Sequence, residues 1–351
     1  MLEFDVEKKS VWETLQETKE PIIMYGTGNG ADKVFSVFEK LNISVCGVTA
    51  SDTFVRERYF HGFRVTPISE FFEKYEKFTI VVTFGSSHPE VMENIKNLAK
   101  KTTVLVPCVP VVGNEIFDRK FLEENKEKLN MAYSFLADEK SKKVFRNYVN
   151  FEFSGKLEYL FAMESSISEP FENYLKLKSD ENFIDIGAYR GDTVEQFLHF
   201  TNGKYKKILA VEPDKKTFDK LMKNCDNLER FEAINGAVTN VDGTTEFSNV
   251  AGRQSAIGSG TEISAFTLDK LSEKFIPTYI KIDAEGAEID ILNGGEKTIK
   301  EYKPKIKIAT YHKNSDIFEI PLLLKNLNKD YKIYMCHHPY IPAWDTDFYC
   351  V

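Results

Sequence analysis

Asp185, Gly187 and Gly191 follow a short apolar run that begins at Phe183, and their types and spacing suit ligand binding. An apolar run of this kind predicts a strand buried on both faces of a parallel sheet. The two glycines permit a sharp turn and a close approach of a ligand to the backbone. Asp185 then falls where the carboxyl ends of parallel strands form a ligand crevice. The order D-x-G-x-x-x-G differs from the fingerprint that cradles a pyrophosphate, and it predicts a different nucleoside ligand.

A second acid, Glu212, follows Gly187 by 25 residues, one strand–helix–strand unit later. Its carboxylate can accept hydrogen bonds from both ribose hydroxyls of a nucleoside, as the acid of dinucleotide-binding folds does. The alternative is a solvated acid before the turn-forming Pro213 and Asp214. Its pairing with the Asp185 motif favours the ribose role.

Charged residues also crowd a strand-to-helix turn, where Lys281, Asp283, Glu285 and Glu288 lie within eight residues. Acids in the first turn of a helix are expected from the helix dipole, which accounts for Glu288. Asp283 differs because it ends a strand beside the same crevice.

His312 follows the next strand and is a candidate general base, since the ordinary pKa of histidine lies near neutral pH. A structural histidine is the alternative interpretation. The pair His337 and His338, at a later strand end, is a weaker candidate for the same crevice.

These side chains suit general-base catalysis, in which a side chain removes a proton from the reacting group. Asp283, Glu285 and His312 are the candidate catalytic residues. A metal ion held by Asp283 and a neighbouring carboxylate is a second route. Because His312 stands where a second acid would follow the strand, no metal site is predicted.

Two α/β units must position these side chains, because candidate strands alternate with helical segments. Residues 1–113 predict a small Rossmann-like α/β domain, residues 114–180 a helical connector, and residues 181–351 a larger doubly wound domain. The candidate strands of the first domain are Pro21–Tyr25, Ile43–Val48, Thr79–Phe84 and Thr103–Pro107. Those of the second are Phe183–Ile186, Ile208–Val211, Glu232–Val238, Tyr279–Ile282, Ile306–Thr310, Tyr331–Cys336 and Asp347–Val351.

The composition excludes several classes of protein. The 351 residues carry a net charge of −8, which argues against a nucleic-acid partner. No apolar run approaches the roughly 20 residues that span a bilayer, and the chain does not start like a signal peptide. Five scattered cysteines suggest reduced thiols. We therefore expect a cytoplasmic protein with no membrane partner; the oligomeric state is left open.

The Asp185 motif resembles the first motif of class I S-adenosylmethionine (SAM) methyltransferases. From about Glu152 onward the chain looks like the FkbM family of these enzymes, and the segment Lys281–Glu288 is the most distinctive part of the likeness. The other matching segments, in the same order as in the family, are 183–193, 211–214, 252–255, 267–271, 311–313 and 320–323.

The resemblance implies a seven-stranded sheet whose last two strands are partly antiparallel, with SAM as cofactor. It also implies O-methylation of a sugar, a polysaccharide precursor or a similar small metabolite, with that molecule as partner. By this resemblance, the SAM-binding residues would be Asp185, Gly187, Tyr189, Gly191, Thr193, Glu212, Pro213 and Asp214, with Gly236 and Ala237 near the adenine.

Other functions stay open at this point. Gly26, Gly28 and Gly30 precede Ala31, and Asp52 follows the next strand about where a ribose acid belongs. This pattern is compatible with a nicotinamide-dependent or nucleotide-sugar-binding enzyme, although one glycine loop is a weak signal. A non-catalytic binding protein that retains the fold is a further alternative.

Overall fold

In the computed structural model, the described residues are 2–51, 58–248, 256–257 and 260–351. The predicted ribose acid Asp52 and the segment 252–255 lie outside them. The fold class expected from the sequence is confirmed: mixed α/β with mainly parallel sheets.

The amino-terminal unit is built on a six-stranded sheet with the order β3-β4-β2-β1-β5-β6, parallel except for the β3–β4 pair. Strands β1 and β5 are fully buried, as their apolar runs predict. Its elements are α1 (Val11–Glu17), β1 (Ile22–Tyr25), α2 (Asn29–Leu41), β2 (Gly47–Ala50), β3 (Tyr59–Phe60), β4 (Phe63–Pro67), α3 (Ile68–Lys74), β5 (Thr79–Val82), α4 (Pro89–Ala99) and β6 (Thr103–Leu105).

Helices form the middle of the chain, as predicted. They are α5 (Arg119–Ser134), α6 (Glu139–Ser154), α7 (Leu157–Ala162) and a π-helical turn (Phe171–Leu175). Asp118 and Asp138 cap α5 and α6 by accepting backbone N–H bonds. The last two turns of α6 are buried all round, which exceeds the single apolar face predicted for this segment.

The carboxy-terminal unit contains a seven-stranded sheet with the order β16-β17-β15-β14-β7-β8-β9. Strand β17 runs antiparallel to both its neighbours, which confirms the antiparallel end expected from the sequence. The elements of this unit are β7 (Asn182–Ile186), α8 (Asp192–Phe200), β8 (Lys207–Glu212), α9 (Lys215–Asn224), β9 (Phe231–Asn235), β10 (Ala237–Val238), β11 (Gly243–Ser248), β12 (Ala256–Ile257), β13 (Thr261–Phe266), α10 (Leu268–Ser272), β14 (Tyr279–Ile282), α11 (Glu288–Asn293), α12 (Glu296–Tyr302), β15 (Lys305–Ala309), α13 (Asp316–Leu327), β16 (Ile333–His337) and β17 (Thr346–Cys350).

One predicted strand, Glu232–Val238, is wrong as a single element. The chain breaks at Gly236, and β10 joins a separate four-stranded sheet with the order β10-β13-β11-β12. A Cβ on Gly236 would lie 2.8 Å from the carbonyl oxygen of Ser264, so only glycine lets β13 pass this close.

The units share one hydrophobic core. A single cluster of buried side chains includes Ile23 of β1, Phe145 of α6, Ile184 of β7 and Phe348 of β17. Helix α5 packs on α13, and α6 packs on β16. Among the described residues, no helix combines the length and apolarity needed to cross a membrane. The site described below lies where the loops after β7 and β14 meet, at the point where the strand order reverses.

Candidate active site

Asp185 lies beneath the crevice rather than in it. Its side chain is fully buried at the end of β7, where Lys281 Nζ lies 3.4 Å from Asp185 Oδ1 and donates a 2.7 Å hydrogen bond to the Gly187 carbonyl. Burial raises the pKa of Asp185 to about 6, against the opposing charge of Lys281. The acid that opens the sequence motif therefore anchors the loop from below, through a lysine on the adjacent strand β14.

The loop after β7 requires its glycines. Gly187 has φ +75°, and a Cβ there would lie 1.9 Å from the carbonyl oxygen of Asp283. Gly191, at φ +91°, precedes the first turn of α8. The backbone of this loop is therefore held close to the β14 turn and leads into a helix amino terminus, whose N–H groups suit a polar ligand.

Glu212 joins the loop to the tip of β8. Its Oε2 accepts a hydrogen bond from Tyr189 N and its Oε1 one from Asp214 N, both at 2.9 Å. Burial raises the pKa of Glu212 to about 7, although these two N–H donors act to lower it. Asn235, which the sequence analysis did not select, donates Nδ2 hydrogen bonds to the carbonyls of Glu212 and Pro213.

The remaining predicted cofactor residues surround this carboxylate. Gly236 N donates to the Glu212 carbonyl at 3.2 Å, and the neighbouring Ala237 is buried. Asp214 caps α9 by accepting from Thr217 N. Thr193 lies in the first turn of α8, and Tyr189 is half exposed in the loop. Of the predicted set, Tyr189, Asp214 and Gly236 contact Glu212 directly, whereas Asp185 is buried at the end of the adjacent strand.

A second cluster lies at the tips of β14 and β15. The Nε2 atom of His312 is 3.5 Å from Asp283 Oδ1 and 3.7 Å from Glu285 Oε2. Its Nδ1 atom is 3.0 Å from Glu288 Oε1. His312 and Glu288 are buried, whereas Asp283 and Glu285 are each about one-third exposed. The three predicted catalytic residues are therefore adjacent, with Glu288 as a fourth member.

Glu288 lies in the first turn of α11, as the sequence predicts, but it is also part of this cluster. Its side chain is fully buried, and Oε1 accepts a 2.8 Å hydrogen bond from Ala284 N. The available signal was its spacing: Glu288 shares one face of α11 with the apolar Ile291 and Leu292, at i+3 and i+4. A buried acid on an apolar face needs a compensating charge, and the His312 ring lies 3.0 Å from Glu288 Oε1.

The acids fix the charge of His312. Burial alone would lower the pKa of this imidazole, but Glu288, Asp283 and Glu285 outweigh it and raise the pKa to about 10. Burial would raise the pKa of Asp283, yet Lys281 and His312 hold it below its ordinary value. Without another cation, His312 is an imidazolium at neutral pH and cannot accept a proton.

Residues 185–333 match the family model described as the methyltransferase FkbM domain. The chain carries an FkbM methyltransferase domain. A crystal structure of the methyltransferase FkbM from Methylobacillus flagellatus KT is similar over 99% of this chain and 94% of that chain, with a TM-score of 0.74 and 19% identity. At this identity, the likeness establishes a shared fold.

Other solved structures resemble about half of the chain. A precorrin-6y C5,15-methyltransferase from Geobacter metallireducens GS-15 has a TM-score of 0.35 and 11% identity, over 52% of this chain and 85% of that one. Aeropyrum pernix fibrillarin, in complex with S-adenosyl-L-methionine, has a TM-score of 0.31 and 11% identity, over 50% and 69%. Similarities with TM-scores this low assign neither a fold nor a function to the chain. No curated protein matches the chain.

The amino-terminal unit contacts the FkbM domain beside the cluster of Asp283, Glu285, Glu288 and His312. Val112 N donates to the His312 carbonyl at 3.0 Å, and a Cβ on Gly286 would lie 2.9 Å from a Val112 methyl group. Ser86 and Ile341 exchange backbone hydrogen bonds, while Trp344 packs directly on Gly85. The first unit therefore contributes part of the wall beside the site.

The amino-terminal glycine loop has the close backbone contacts of a tight turn. A Cβ on Gly30 would lie 2.4 Å from the Thr83 carbonyl oxygen, whereas Gly28 faces open space. The nearby Lys33 donates to the carbonyls of Pro110 and Val111. Close packing on Thr83 thus accounts for Gly26 and Gly30, and these contacts identify no ligand.

His337 and His338 make structural contacts at the end of β16. Both are buried; His338 contacts the Ser165 carbonyl and the Tyr349 hydroxyl, and His337 contacts Thr346 Oγ1.

A cavity of about 750 Å³ elsewhere is lined by residues 3–8 together with Arg146, Asn147, Asn150 and Tyr159. None of the predicted site residues lines that cavity.

Proposed function

We propose that this protein is a SAM-dependent O-methyltransferase acting on a hydroxyl of a sugar, a polysaccharide precursor or a similar small metabolite. The observation that carries the proposal is the Glu212 carboxylate, held between the β7 loop and the β8 tip by two backbone N–H groups. The class of enzyme follows from the FkbM domain, and the cofactor and acceptor are the proposal.

The Glu212 carboxylate suits a ribose diol. Each of its oxygens accepts one backbone N–H and keeps a lone pair for one ribose hydroxyl. Two further donors would favour the ionised form of a carboxylate whose pKa burial has raised to about 7. The glycine loop donates Tyr189 N to Glu212 and lets a ligand approach the backbone, and Gly236 N bonds the backbone carbonyl of Glu212.

The acceptor would lie beside Asp283 and Glu285, which are the partly exposed acids of the second cluster. When bound, SAM supplies an electrophilic methyl group on a sulfonium. Methyl transfer is an in-line displacement, so orientation of the acceptor oxygen accounts for much of the rate. Carboxylates accept hydrogen bonds from hydroxyl groups and can orient them, which favours an oxygen acceptor with several hydroxyls.

The composition of the chain supports the proposed class of acceptor and the proposed location of the activity. A net charge of −8 disfavours a nucleic-acid acceptor, and we place the activity in the cytoplasm on a small or carbohydrate acceptor. We propose no second function for the glycine loop of the amino-terminal unit, because packing on Thr83 accounts for Gly26 and Gly30.

The test is transfer from SAM labelled in the methyl group to a panel of sugars, nucleotide sugars and hydroxylated metabolites. The proposal predicts a labelled product whose methyl group survives alkali, as an ether does and an ester does not. Label on a nitrogen or in a base-labile ester would overturn O-methylation while leaving methyl transfer in place. The matched variants are Asp283→Asn, expected to slow transfer, and Asp219→Asn on the exposed face of α9, expected to leave it unchanged.

A further inference from the structure

Three side chains of the second cluster converge as a metal-binding group would. One ligand atom from each of Asp283, Glu288 and His312 can be chosen so that all three lie within 4.8 Å of one another. They come from the tip of β14, the first turn of α11 and the residues after β15. Three separate elements thus direct ligand-type atoms to one point.

Two buried atoms at this point lack hydrogen-bond partners. Nδ1 of His312 and Oε2 of Glu288 accept and donate no hydrogen bond, although both side chains are at most 1% exposed. The 3.0 Å approach of His312 Nδ1 to Glu288 Oε1 does not have hydrogen-bond geometry. Buried polar groups are almost always paired, so two unpaired ones in contact indicate a missing partner.

The charge around His312 is unbalanced. Asp283, Glu285 and Glu288 all lie within 4 Å of the ring. Lys281 is directed to the Gly187 carbonyl and Asp185, and lies 3.9 Å from Asp283. Three acids and one imidazole therefore face each other in a largely buried space, which favours an additional positive charge.

We propose that Asp283, Glu288 and His312 bind one divalent first-row transition-metal ion at the acceptor side of the crevice. Two carboxylate oxygens with one imidazole nitrogen suit ions such as Mn²⁺ better than Ca²⁺, which takes oxygen ligands. Asp283 is partly exposed, so solvent or a substrate oxygen can complete the coordination. The ion would replace the proton of His312, which binds as neutral imidazole.

The ion would activate the acceptor hydroxyl, a role that rests on the proposed function, whereas binding of the ion does not. A hydroxyl bound to a divalent ion loses its proton more readily. The proton passes to Glu285, which is partly exposed and can release it to water. The acceptor oxygen then bonds to the methyl carbon as the carbon–sulfur bond breaks, and the bonding pair remains on sulfur.

A second group of similar composition already has its hydrogen-bond and charge partners. His338, Asp345 and Asp347 also offer atoms within 4.8 Å. However, His338 contacts Ser165 and Tyr349 through its two nitrogens, and Lys307 Nζ lies 3.2 Å from Asp347. A lysine already supplies the positive charge there, so we propose no ion at that group.

The test is a titration of the chelator-treated full-length protein with Mn²⁺, following free Mn²⁺ by electron paramagnetic resonance. We expect one site, weakened by about tenfold or more in Glu288→Gln and Asp283→Asn. Both substitutions keep an oxygen for Ala284 N or the Tyr311 hydroxyl. Asp316→Asn is the matched control, because Asp316 is buried nearby, bonds Lys313 N and lies outside the three ligands.

A second measurement does not depend on variants. Electron spin echo modulation of the bound Mn²⁺ should show one coordinated imidazole nitrogen in the wild-type protein. Absence of Mn²⁺ binding at millimolar concentration, binding without the nitrogen signal, or full affinity in folded Glu288→Gln would overturn the proposal. Methyl transfer that proceeds undiminished in chelator would remove the metal's role and leave the proposed function intact. Binding of Mn²⁺ without binding of SAM would leave the metal site intact and contradict the proposed function.

Discussion

Glu212 is the residue on which the proposed cofactor site depends. Glu212→Ala removes the acceptor for two ribose hydroxyls, and hydrogen bonds to charged groups contribute about 1.5–3 kcal/mol each. We expect the affinity for S-adenosylhomocysteine to fall by at least about tenfold in isothermal titration calorimetry. Glu232→Ala, which removes a largely exposed acid from the adjacent strand β9, should bind as the wild type does. Unchanged affinity in a folded Glu212→Ala protein would refute the ribose role.

His337 should make stability depend on pH. Burial lowers the pKa of His337 to about 3, below the 6.5 of an unfolded histidine. Between these values the unfolded chain binds a proton that the native protein does not, so stability falls as pH falls from about 6.5.

The matched comparison for His337 is His337→Gln, which keeps an atom able to bond Thr346. We compare the free energies of unfolding of the two proteins. As the pH is lowered from 6 to 4, the value for the wild type minus that for the variant should fall by up to about 1.4 kcal/mol per pH unit. Urea unfolding at several pH values measures this difference. Parallel curves for the two proteins would show that His337 does not carry the effect.

Residue types and strand positions were enough to predict Asp283 and His312 as neighbours, since both follow parallel strands. They were not enough to place Asp185, whose burial depends on Lys281 crossing beneath the loop from β14. The burial of Glu288 was not predicted because a dipole argument considers one helix alone, whereas α11 packs on α13 and Glu288 lies against His312. The roles of all these residues in binding and catalysis stay predictions.

At the scale of elements, the β7 loop depends on Gly187. Alanine there combines a positive φ with a Cβ 1.9 Å from the Asp283 carbonyl oxygen. The left-handed conformation costs about 1–2 kcal/mol and the forced movement about as much again, so Gly187→Ala should lower the free energy of unfolding by about 3 kcal/mol or more. Gly203→Ala is the control, because Gly203 has φ +69° but faces open space. It should cost only about 1 kcal/mol in urea unfolding, and equal losses would contradict this account.

The strands that the sequence predicted well are the buried parallel ones, because their apolar runs are unambiguous. The boundaries of β1, β7, β8, β14 and β15 lie within about two residues of the predictions. The short sheet of β10 to β13 was missed because its strands are partly exposed and pair across a long separation in sequence. The break at Gly236 depends on β13, which local patterns do not reveal.

At the scale of the whole molecule, the shared core predicts one cooperative unfolding transition. The chain has two tryptophans, Trp12 in α1 and Trp344 near the carboxyl terminus. Trp12 packs with residues of β1, and other residues of that strand belong to the core that extends to β17. Trp12→Phe and Trp344→Phe each leave one reporter, and their fluorescence should give the same urea midpoint. Clearly separated midpoints would show that the two halves unfold independently.

Length and the alternation of strands and helices predicted two α/β units, yet not the contact between them. That contact depends on single residues such as Val112 and Trp344, which approach glycines of the opposite unit. The division into domains at 1–113, 114–180 and 181–351 stays a prediction. The core that crosses all three segments indicates that the middle helices stabilise both sheets.

The most direct test of the account is calorimetric titration of the full-length protein with S-adenosylhomocysteine and, separately, with NADH. The account predicts one bound S-adenosylhomocysteine per chain and no heat of binding for NADH, because Glu212 and the β7 loop form the nucleoside site. Binding of NADH without binding of S-adenosylhomocysteine would contradict the methyltransferase site and assign the activity to the amino-terminal glycine loop.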